Sequence, residues 1–262
     1  MNRIIIGSMI ITLTFSQITN IKPTTDKEKV LGYSIIKEQS LIDQYKKVQP
    51  IIVKTSVEEE RVENVYEWEI NRPQIEVVDN NDISELINKE VSKGIDGYVE
   101  KMKFIKDVKE GEERKSPYKF TIKSEVLTNK DGVFSIKLNR NYYYGVEHIY
   151  YRSDFYNFDL LKGKEIELKD LFKEDVDSLE LIYNIIFEQI KDNEKVTTNL
   201  QKYYEYKIEP NFFIRDGKIY IYFGLYTLGP YEDGEHEFKI SMEDVEGKLS
   251  EFGKVIYSIC KP

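Results

Sequence analysis

Hydrophobic and polar residues alternate with a period of two along several stretches of the chain. This period is typical of β-strands, where successive side chains point to opposite faces. Residues 129–132 and 215–218 each contain an Asp-Gly pair, which favours a tight hairpin turn. Pro lacks an N–H, so Arg72-Pro73 is expected to mark a sheet edge or a turn. The alternating stretches are residues 65–70, 117–160 and 219–223, and the apolar runs at residues 51–53 and 212–214 are also strand-like.

A period near 3.6 predicts two larger helices, each behind a capping signal. Asp82 with Glu85 begins the first helix, and Asp177 with Glu180 begins the second. Their apolar positions are Ile83, Leu86, Ile87, Val91, Ile95, Tyr98, Val99, Met102 and Ile105 in the first, and Leu179, Ile182, Tyr183, Ile186 and Ile190 in the second. Ser241 with Asp244 predicts a short helix carrying Met242, Val245, Leu249 and Phe252.

Hairpins that are separate from the helices, rather than regular strand–helix alternation, indicate the α+β class. We therefore expect antiparallel sheets with one long and one medium helix packed on them.

The first twenty residues are typical of a secretion signal. Arg3 precedes an apolar run over residues 4–15, and polar residues follow. The run is shorter than the roughly 20 residues of a membrane-spanning helix, so a signal peptide over residues 1–20, cleaved between Phe15 and Asn20, is favoured over an anchor. A buried N-terminal strand is the alternative. Residues 21–48 are polar and Lys-rich and are interpreted as a linker or a loosely packed helix.

Charge and composition narrow the possible partners. With 38 basic and 47 acidic residues the net charge is −9, which argues against nucleic acid, because that affinity comes from basic groups. The single cysteine, Cys260, excludes an internal disulfide framework or a Cys-rich zinc site. We expect an extracellular or envelope protein with no permanent membrane span.

Few residues are suited to catalysis. The two histidines, His148 and His236, are too far apart in sequence for a metal motif on one helix. Neither a phosphate-binding Gly-rich loop nor a Gly-x-Ser-x-Gly motif occurs. We expect no catalytic residue, metal ion or cofactor, although a glycosidase-like carboxylate pair among the 47 acids stays open.

Three local motifs have structural interpretations. Lys162-Gly163-Lys164 reads as a tight turn, and Asp170 as the cap of a helical turn. The acid-rich residues 231–237 are interpreted as a solvated turn, with a calcium site as the alternative. Tyr220 and Tyr222 share one strand face, which either packs in the interior or recognises a partner.

Two blocks of sequence carry a more specific resemblance. The first contains Tyr143-Tyr144-Gly145-Val146-Glu147-His148, then the Lys-Gly-Lys turn and Asp170-Leu171-Phe172. The second continues from Gly217–Phe223 into Tyr226-Thr227-Leu228-Gly229-Pro230-Tyr231-Glu232-Asp233-Gly234. Together they resemble the extracytoplasmic two-domain unit of lysozyme-sensing anti-sigma-V factors, which also accompanies the catalytic domain of peptidoglycan deacetylases.

The resemblance implies an N-terminal α+β domain over residues 49–152 and a C-terminal α+β domain over residues 153–262, packed against each other. It implies an exported envelope protein that is a non-enzymatic binding or sensor module. The implied ligand is a cell-wall glycan or a protein, such as a lysozyme-like cationic protein. A wall-acting hydrolase or deacetylase-related enzyme is the alternative. The candidate ligand-binding residues are Tyr143, Tyr144, His148, Tyr226, Pro230, Tyr231, Glu232 and Gly234.

Overall fold

The computed structural model describes residues 2–6, 9–13, 26–109, 116–145 and 148–259. The chain divides into two compact units, Met1–Gln44 and Tyr45–Pro262. In the first unit, strand β1 (Asn2–Ile6) pairs antiparallel with β2 (Met9–Leu13). This unit also contains helix α1 (Asp26–Tyr45) except for its last residue, Tyr45. None of the helices in the described ranges is long and apolar enough to cross a membrane. The expected cleavage region, Phe15–Asn20, lies outside the described residues, and the signal peptide stays a prediction.

The larger sheet of the second unit has six strands in the order β3-β4-β5-β6-β7-β8. All neighbours are antiparallel except β4 and β5, which are parallel because the long helix α2 (Asn81–Lys109) connects them. The predicted turn between β5 and β6 consists of Asp131 and Gly132, both at positive φ. The bounds are Ile52–Val62 for β3, Tyr66–Glu76 for β4, Tyr118–Lys130 for β5, Val133–Tyr143 for β6, Ile149–Asp159 for β7 and Lys164–Glu165 for β8.

Pro73 lies inside β4 rather than at a turn. Strand β4 pairs with β5 only from Tyr66 to Ile70, so Pro73 is paired only with Thr55 of β3. A residue without an N–H is tolerated where a strand is paired on one side. The edge interpretation is therefore right, and the turn alternative is wrong.

Helix α2 packs on this sheet through the predicted apolar face. The buried positions on the helix are Ile83, Ile87, Val91, Ile95, Val99 and Met102. The helix is capped by Asn80, whose Oδ1 accepts the N–H of Ile83 at 3.1 Å, and not by the predicted Asp82, which is exposed in the first turn. The side chain of Ile105 lies outside the described residues. Val126, expected to face the core with Phe120 and Ile122, is 41% exposed, and the register between β5 and β6 shifts directly after it.

A second sheet has three antiparallel strands in the order β11-β10-β9. The strands are β9 (Asn211–Arg215), β10 (Lys218–Phe223) and β11 (His236–Ile240), and the predicted Asp216–Gly217 turn joins the first two. Helix α3 (Ser178–Ile190) begins after the predicted cap, where Asp177 Oδ1 accepts the N–H of Glu180 at 3.0 Å. Helix α4 (Glu194–Glu205) was not predicted, because its sequence is polar and only Val196 and Leu200 are buried.

The short helix predicted after Ser241 is in fact two helices. The Ser241–Asp244 capping box is present, but α5 (Met242–Val245) ends after one turn, before Gly247 at φ 78°. Ser250 then caps α6 (Glu251–Ser258) by accepting the N–H of Gly253 at 3.0 Å. The α+β class is confirmed, with more helices in the described chain than the two larger ones and the short one that were predicted.

The two sheets are joined by side chains rather than by strand pairing. Thr128 Oγ1 donates to the carbonyl of Ile214 in β9 at 2.7 Å. Asn157 Nδ2 donates to the carbonyl of Phe212 at 3.0 Å, and its Oδ1 accepts from Ser135 Oγ at 2.7 Å. All three side chains are buried in the larger sheet. They form hydrogen bonds to the main chain of β9 along the edge that does not pair with β10. The expected domain boundary at residues 152–153 falls inside β7.

Candidate functional site

The motif residues determine the backbone conformation of the loop after β10. Tyr226 adopts φ 60°, in the left-handed region. Pro230 precedes a 3-10 turn over Tyr231–Asp233, and Gly234, at φ 72°, ends it. The Asp233 side chain packs against Gly229, where an added Cβ would displace its carboxylate. The loop therefore holds Tyr226 and Tyr231 in fixed positions.

Tyr231 ties this loop to the start of β7. Its hydroxyl donates to the carbonyl of Ile149 at 2.9 Å. Its ring stacks on His148, with the ring centroids 4.6 Å apart, and contacts the edge of Tyr151 at 6.3 Å. Two candidate residues from separate motif blocks, His148 and Tyr231, are thus in direct contact.

A continuous row of aromatic rings extends from this loop across β7, β6 and β5. The ring of Tyr231 lies 6.0 Å from Tyr226, Tyr226 lies 6.2 Å from Tyr150, and Tyr150 stacks on Tyr142 at 5.5 Å. Tyr144 lies 5.3 Å from Tyr142. We call this row the aromatic ridge; it consists of Tyr118, Phe120, Tyr142, Tyr144, Tyr150, Tyr226 and Tyr231.

The ridge is uncharged and partly open to solvent. Tyr144 is 37% exposed and Tyr226 is 51% exposed. Burial, and then the neighbouring phenols of Tyr142, Tyr118 and Tyr150, raise the pKa of Tyr144. The phenol of Tyr144 therefore stays neutral at physiological pH. A neutral tyrosine can both stack on a ligand and donate a hydrogen bond to it.

One of the candidate residues lies apart from the ridge. Tyr143 pairs with Ile149 and Lys119 across the strands, and in the described part of the chain its ring stacks on no other. Glu232 is exposed next to Tyr231, within the 3-10 turn. Val146 and Glu147, between Gly145 and His148, lie outside the described residues.

The acid-rich segment is less acidic at its surface than its sequence indicates. Glu235 accepts a hydrogen bond from the hydroxyl of Tyr222 and another from Ser153 Oγ at 3.4 Å. Glu237 is paired with Arg215 at 3.1 Å. Burial, and then the bond to Glu235, raise the pKa of Tyr222, so the phenol remains a donor. Glu232 and Asp233, in the 3-10 turn, are exposed.

The packing interpretation is right for the Tyr220–Tyr222 face. Tyr222 is 2% exposed and meets Phe155 of the larger sheet edge-on at 4.8 Å. Tyr220 stacks on Phe213 across the strand pair at 5.0 Å. The exposed tyrosines of the ridge are therefore Tyr144, directly after β6, and Tyr226 in the loop, and not the tyrosines of β10.

A cleft of about 400 Å³ lies beside the ridge. Strand β7 supplies one wall, and the ends of β9 and β10 supply the other. The polar side chains on its wall include Arg152, Glu209 and Asn211. Neither this cleft nor the participation of Tyr142 and Tyr150 was among the candidate sites from sequence. The three tyrosines before His148 and the two after it are the sequence signal that points to them.

Neither histidine lies in a metal-binding cluster. His236 stacks on Phe238, as His148 does on Tyr231. Within the described ranges, no group of three or more His, Cys, Asp and Glu residues is arranged to bind a metal ion.

Two family models match the chain. One, described as a protein of unknown function (DUF3298), matches residues 169–243, and the other, described as deacetylase PdaC, matches residues 59–148. The two-domain unit that the motifs predicted is thus confirmed. The candidate site takes Tyr143, Tyr144 and His148 from the PdaC match and the Tyr226–Gly234 loop from the DUF3298 match.

The fold is similar to solved structures of the DUF3298 family. A member from Bacteroides fragilis has 20% sequence identity and a TM-score of 0.60, over 80% of this chain and 99% of that one. A protein from Pseudomonas aeruginosa has 14% identity and a TM-score of 0.56, over 79% of this chain and 96% of the other. At these sequence identities, the similarity is evidence for the fold alone. No curated protein sequence matches the chain.

Proposed function

We propose that this protein is exported to the bacterial cell envelope and acts there as a non-catalytic binding module for a cationic protein of the lysozyme type. The observation that carries the proposal is the aromatic ridge, which ends at the exposed Tyr226–Gly234 loop beside Glu232. Tyrosine rings provide large contact areas at a low cost in conformational entropy. Export is supported by Arg3 and the apolar run behind it.

Charge supports a cationic partner. The chain carries a net charge of −9, and opposite charge speeds the encounter of two proteins. Glu232 and Asp233 place negative charge next to Tyr231. A partner with a basic surface would meet both the acids and the rings.

The alternative, a wall-acting hydrolase, needs two carboxylates that face one ligand. The tyrosine-lined cleft has a single acid on its wall, Glu209. Glu165 and Glu90 do interact, and burial followed by Glu90 raises the pKa of Glu165. Neither of these two acids lines the cleft, which favours the binding module.

Calorimetry with hen egg-white lysozyme tests the proposal. At an ionic strength of about 0.15 M, long-range attraction is largely screened, so only a specific complex gives a defined 1:1 stoichiometry. Replacing Tyr226 by Ala and Glu232 by Gln together is expected to weaken binding by about tenfold or more, the loss typical of an interface anchor.

Glu59→Gln is the matched control, because this exposed acid lies in β3, at the opposite edge of the sheet from β7. It is expected to leave the affinity unchanged. Absence of binding heat, or equal weakening by Glu59→Gln, would refute the loop as the recognition surface.

A further inference from the structure

Strand β3 forms one edge of the six-stranded sheet. It is 11 residues long, and among the residues that the structure describes it pairs with β4 alone. This pairing runs from Ile52 to Val62 without a register shift, and β3 contains no proline. Short strands, bulges and prolines are common features that keep an edge from pairing with another chain. A long, regular edge of this kind offers its outer N–H and C=O groups to a further strand.

Most side chains of β3 are open to solvent. Val57, at the middle of the strand, is 56% exposed, and Ile52, at its start, is 43% exposed. Exposed apolar side chains on a long edge strand favour pairing with another strand. The charged residues of β3 are Lys54, Glu58, Glu59, Glu60 and Arg61. A partner strand must therefore offer hydrogen-bond donors or a cation to three consecutive acids.

Symmetry restricts how two copies of β3 can pair with each other. Around a two-fold axis the copies run antiparallel, and the numbers of facing residues have a constant sum. This sum is even, because main-chain groups alternate between the two sides of a strand, and facing residues must both point towards the other copy or both away from it. The axis therefore passes through a residue of β3 and not between two residues.

With the axis at Val57, the two copies overlap over the whole strand and their side chains complement one another. Each acid of the run then faces a donor, and the pairs are Glu60 with Lys54, Glu59 with Thr55 and Glu58 with Ser56. The other facing pairs are Ile52 with Val62, Val53 with Arg61 and Val57 with itself. Facing pairs of opposite charge and of apolar residues stabilise a sheet.

The neighbouring registers are less favourable. An axis at Glu58 places this acid opposite itself, and an axis at Glu59 also places Glu58 opposite Glu60. Like charges that face each other destabilise a sheet. An axis at Ser56 places Glu60 opposite the apolar Ile52 and shortens the overlap. Charge and overlap therefore favour the register centred on Val57.

The acids also have partners within their own chain, and these are compatible with a second copy. Arg72 Nε donates to Glu58 at 2.9 Å, and the Tyr66 hydroxyl donates to Glu60 at 2.6 Å. An ionised carboxylate has about four acceptor positions, so each acid can accept a further donor from a facing strand.

We infer that this protein forms a two-fold symmetric dimer in which β3 pairs antiparallel with β3 of a second copy, with Val57 on the axis. The two larger sheets then form one continuous sheet. Strand β3 lies at the opposite edge of this sheet from β7 and β8, so the interface is separate from the Tyr226–Gly234 loop. The dimer and the complex with a cationic protein can therefore fail independently.

Sedimentation of the full chain tests the dimer. Contact through one strand buries little surface, so we expect a dissociation constant of about 1–100 μM. Over protein concentrations of about 1–300 μM, the average mass should rise from the 31.0 kDa of one chain towards twice this value.

Charge reversal tests the register. Lys54→Glu or Glu60→Lys alone makes both symmetry-related Lys54–Glu60 contacts repulsive and is expected to weaken the dimer by about tenfold. The double variant with both reversals again places opposite charges face to face. Its dissociation constant should return to within about threefold of the parent, as coupled neighbours do in a double-mutant cycle.

Lys191→Glu is the matched control. Lys191 follows α3 and pairs with Glu188 at 3.7 Å, an exposed ion pair like that of Lys54 with Glu76 at 3.0 Å. Its reversal should leave the dimer unchanged. A chain that stays monomeric at every concentration, equal weakening by Lys191→Glu, or a double variant as weak as the single ones would overturn the inference.

Hydrogen exchange locates the contact. Main-chain amides at alternate positions of β3 should exchange more slowly at about 300 μM than at about 1 μM protein, because the N–H groups on the outer side gain partners. If these amides already exchange slowly at the lowest concentration, another segment of the chain covers the edge and the β3 dimer is refuted.

Discussion

Individual buried polar residues in this protein have several partners each. Asp159, which is fully buried, accepts the Tyr45 hydroxyl at 2.6 Å and the N–H groups of Leu161 and Lys162 at 3.0 Å. A buried carboxylate is tolerated when such bonds replace its water. The turn before Gly163 is therefore anchored by side-chain chemistry as well as by the positive φ of that glycine, 64°.

Asp170 shows how one charge couples stability to pH. Burial tends to raise its pKa, but bonds from Lys164 Nζ at 2.8 Å and from the N–H of Glu167 at 3.1 Å outweigh it and lower the pKa below the ordinary value. The N-cap of the 3-10 segment Leu168–Leu171 is Glu167 rather than the predicted Asp170, which lies inside the segment and accepts the N–H of Glu167.

We predict that Asp170→Asn makes stability less dependent on pH. Because the pKa is lowered in the folded state, the unfolded chain takes up the proton first, at about pH 4. The stabilisation is therefore full above that pH and is lost as the pH falls through the folded value. In urea unfolding, the gap between parent and variant should be largest near pH 7 and shrink towards about pH 3. A gap that stays constant with pH would contradict this.

At the scale of elements, asparagine side chains repeatedly complete strand edges. Asn88 of α2 bonds both the N–H and the C=O of Ile75, at 2.8 and 2.7 Å. Asn129 does the same to Ile51, at 2.8 Å for each bond. Asn157 bonds β9. A side-chain amide thus takes the place of a neighbouring strand.

Thr128→Val tests whether this bonding holds β9 in place. The change keeps the shape of the side chain but leaves the carbonyl of Ile214 without its 2.7 Å donor. We expect a loss of about 1–3 kcal/mol in the free energy of unfolding, the usual cost of a buried unsatisfied group. Thr121→Val, on the same strand and half-buried, is the control, expected within about 0.5 kcal/mol of the parent. Equal effects in urea titrations would refute the role of Thr128.

Gly253 sets how closely α6 approaches the 3-10 segment. A Cβ at this position would overlap the carbonyl oxygen of Leu171, which is main chain and cannot rotate away. We predict that Gly253→Ala costs about 1–3 kcal/mol, as overpacking does.

Gly97→Ala is the matched control for that variant. Gly97 is exposed in α2 with nothing within 4 Å of an added Cβ, so Ala should stabilise by about 0.5–1 kcal/mol. Urea midpoints that shift in the same direction for both variants would contradict the close approach.

At the scale of the whole molecule, both family matches contribute residues to the ridge and the cleft, and β7, which lies between the two matches in sequence, contributes as well. The ridge needs β6 and β7 from one side and the Tyr226–Gly234 loop from the other. The hydrogen bond from the Tyr231 hydroxyl to the carbonyl of Ile149 ties the loop to the start of β7. The candidate site therefore depends on both halves of the 45–262 unit being folded together.

Export is the prediction that concerns the complete chain. If residues 1–20 are a signal peptide, protein recovered outside the cell should lack about twenty N-terminal residues. Intact-mass measurement decides this. Secreted protein that still begins at Met1 would show that the apolar run is not a cleaved signal.

The sequence by itself determined the features that depend on neighbouring residues. The alternating stretches, the two Asp-Gly turns, the Asp177 cap and the apolar face of α2 all follow from local steric and burial preferences. The motif blocks also identified Tyr144, His148, Tyr226 and Tyr231, which the fold brings to one surface.

Only the tertiary structure decided the features that join distant residues. Asn129 bonds Ile51 across 78 positions and Asn157 bonds Phe212 across 55, and an asparagine on a strand carries no local sign of such a partner. Glu235 reads as a surface acid in a charged run, yet it turns inward because Tyr222 offers a buried donor. The cleft likewise exists only where β7 meets the ends of β9 and β10. A period in the sequence reports which face is buried, whereas the partner of a polar side chain is set by which segments the fold places side by side.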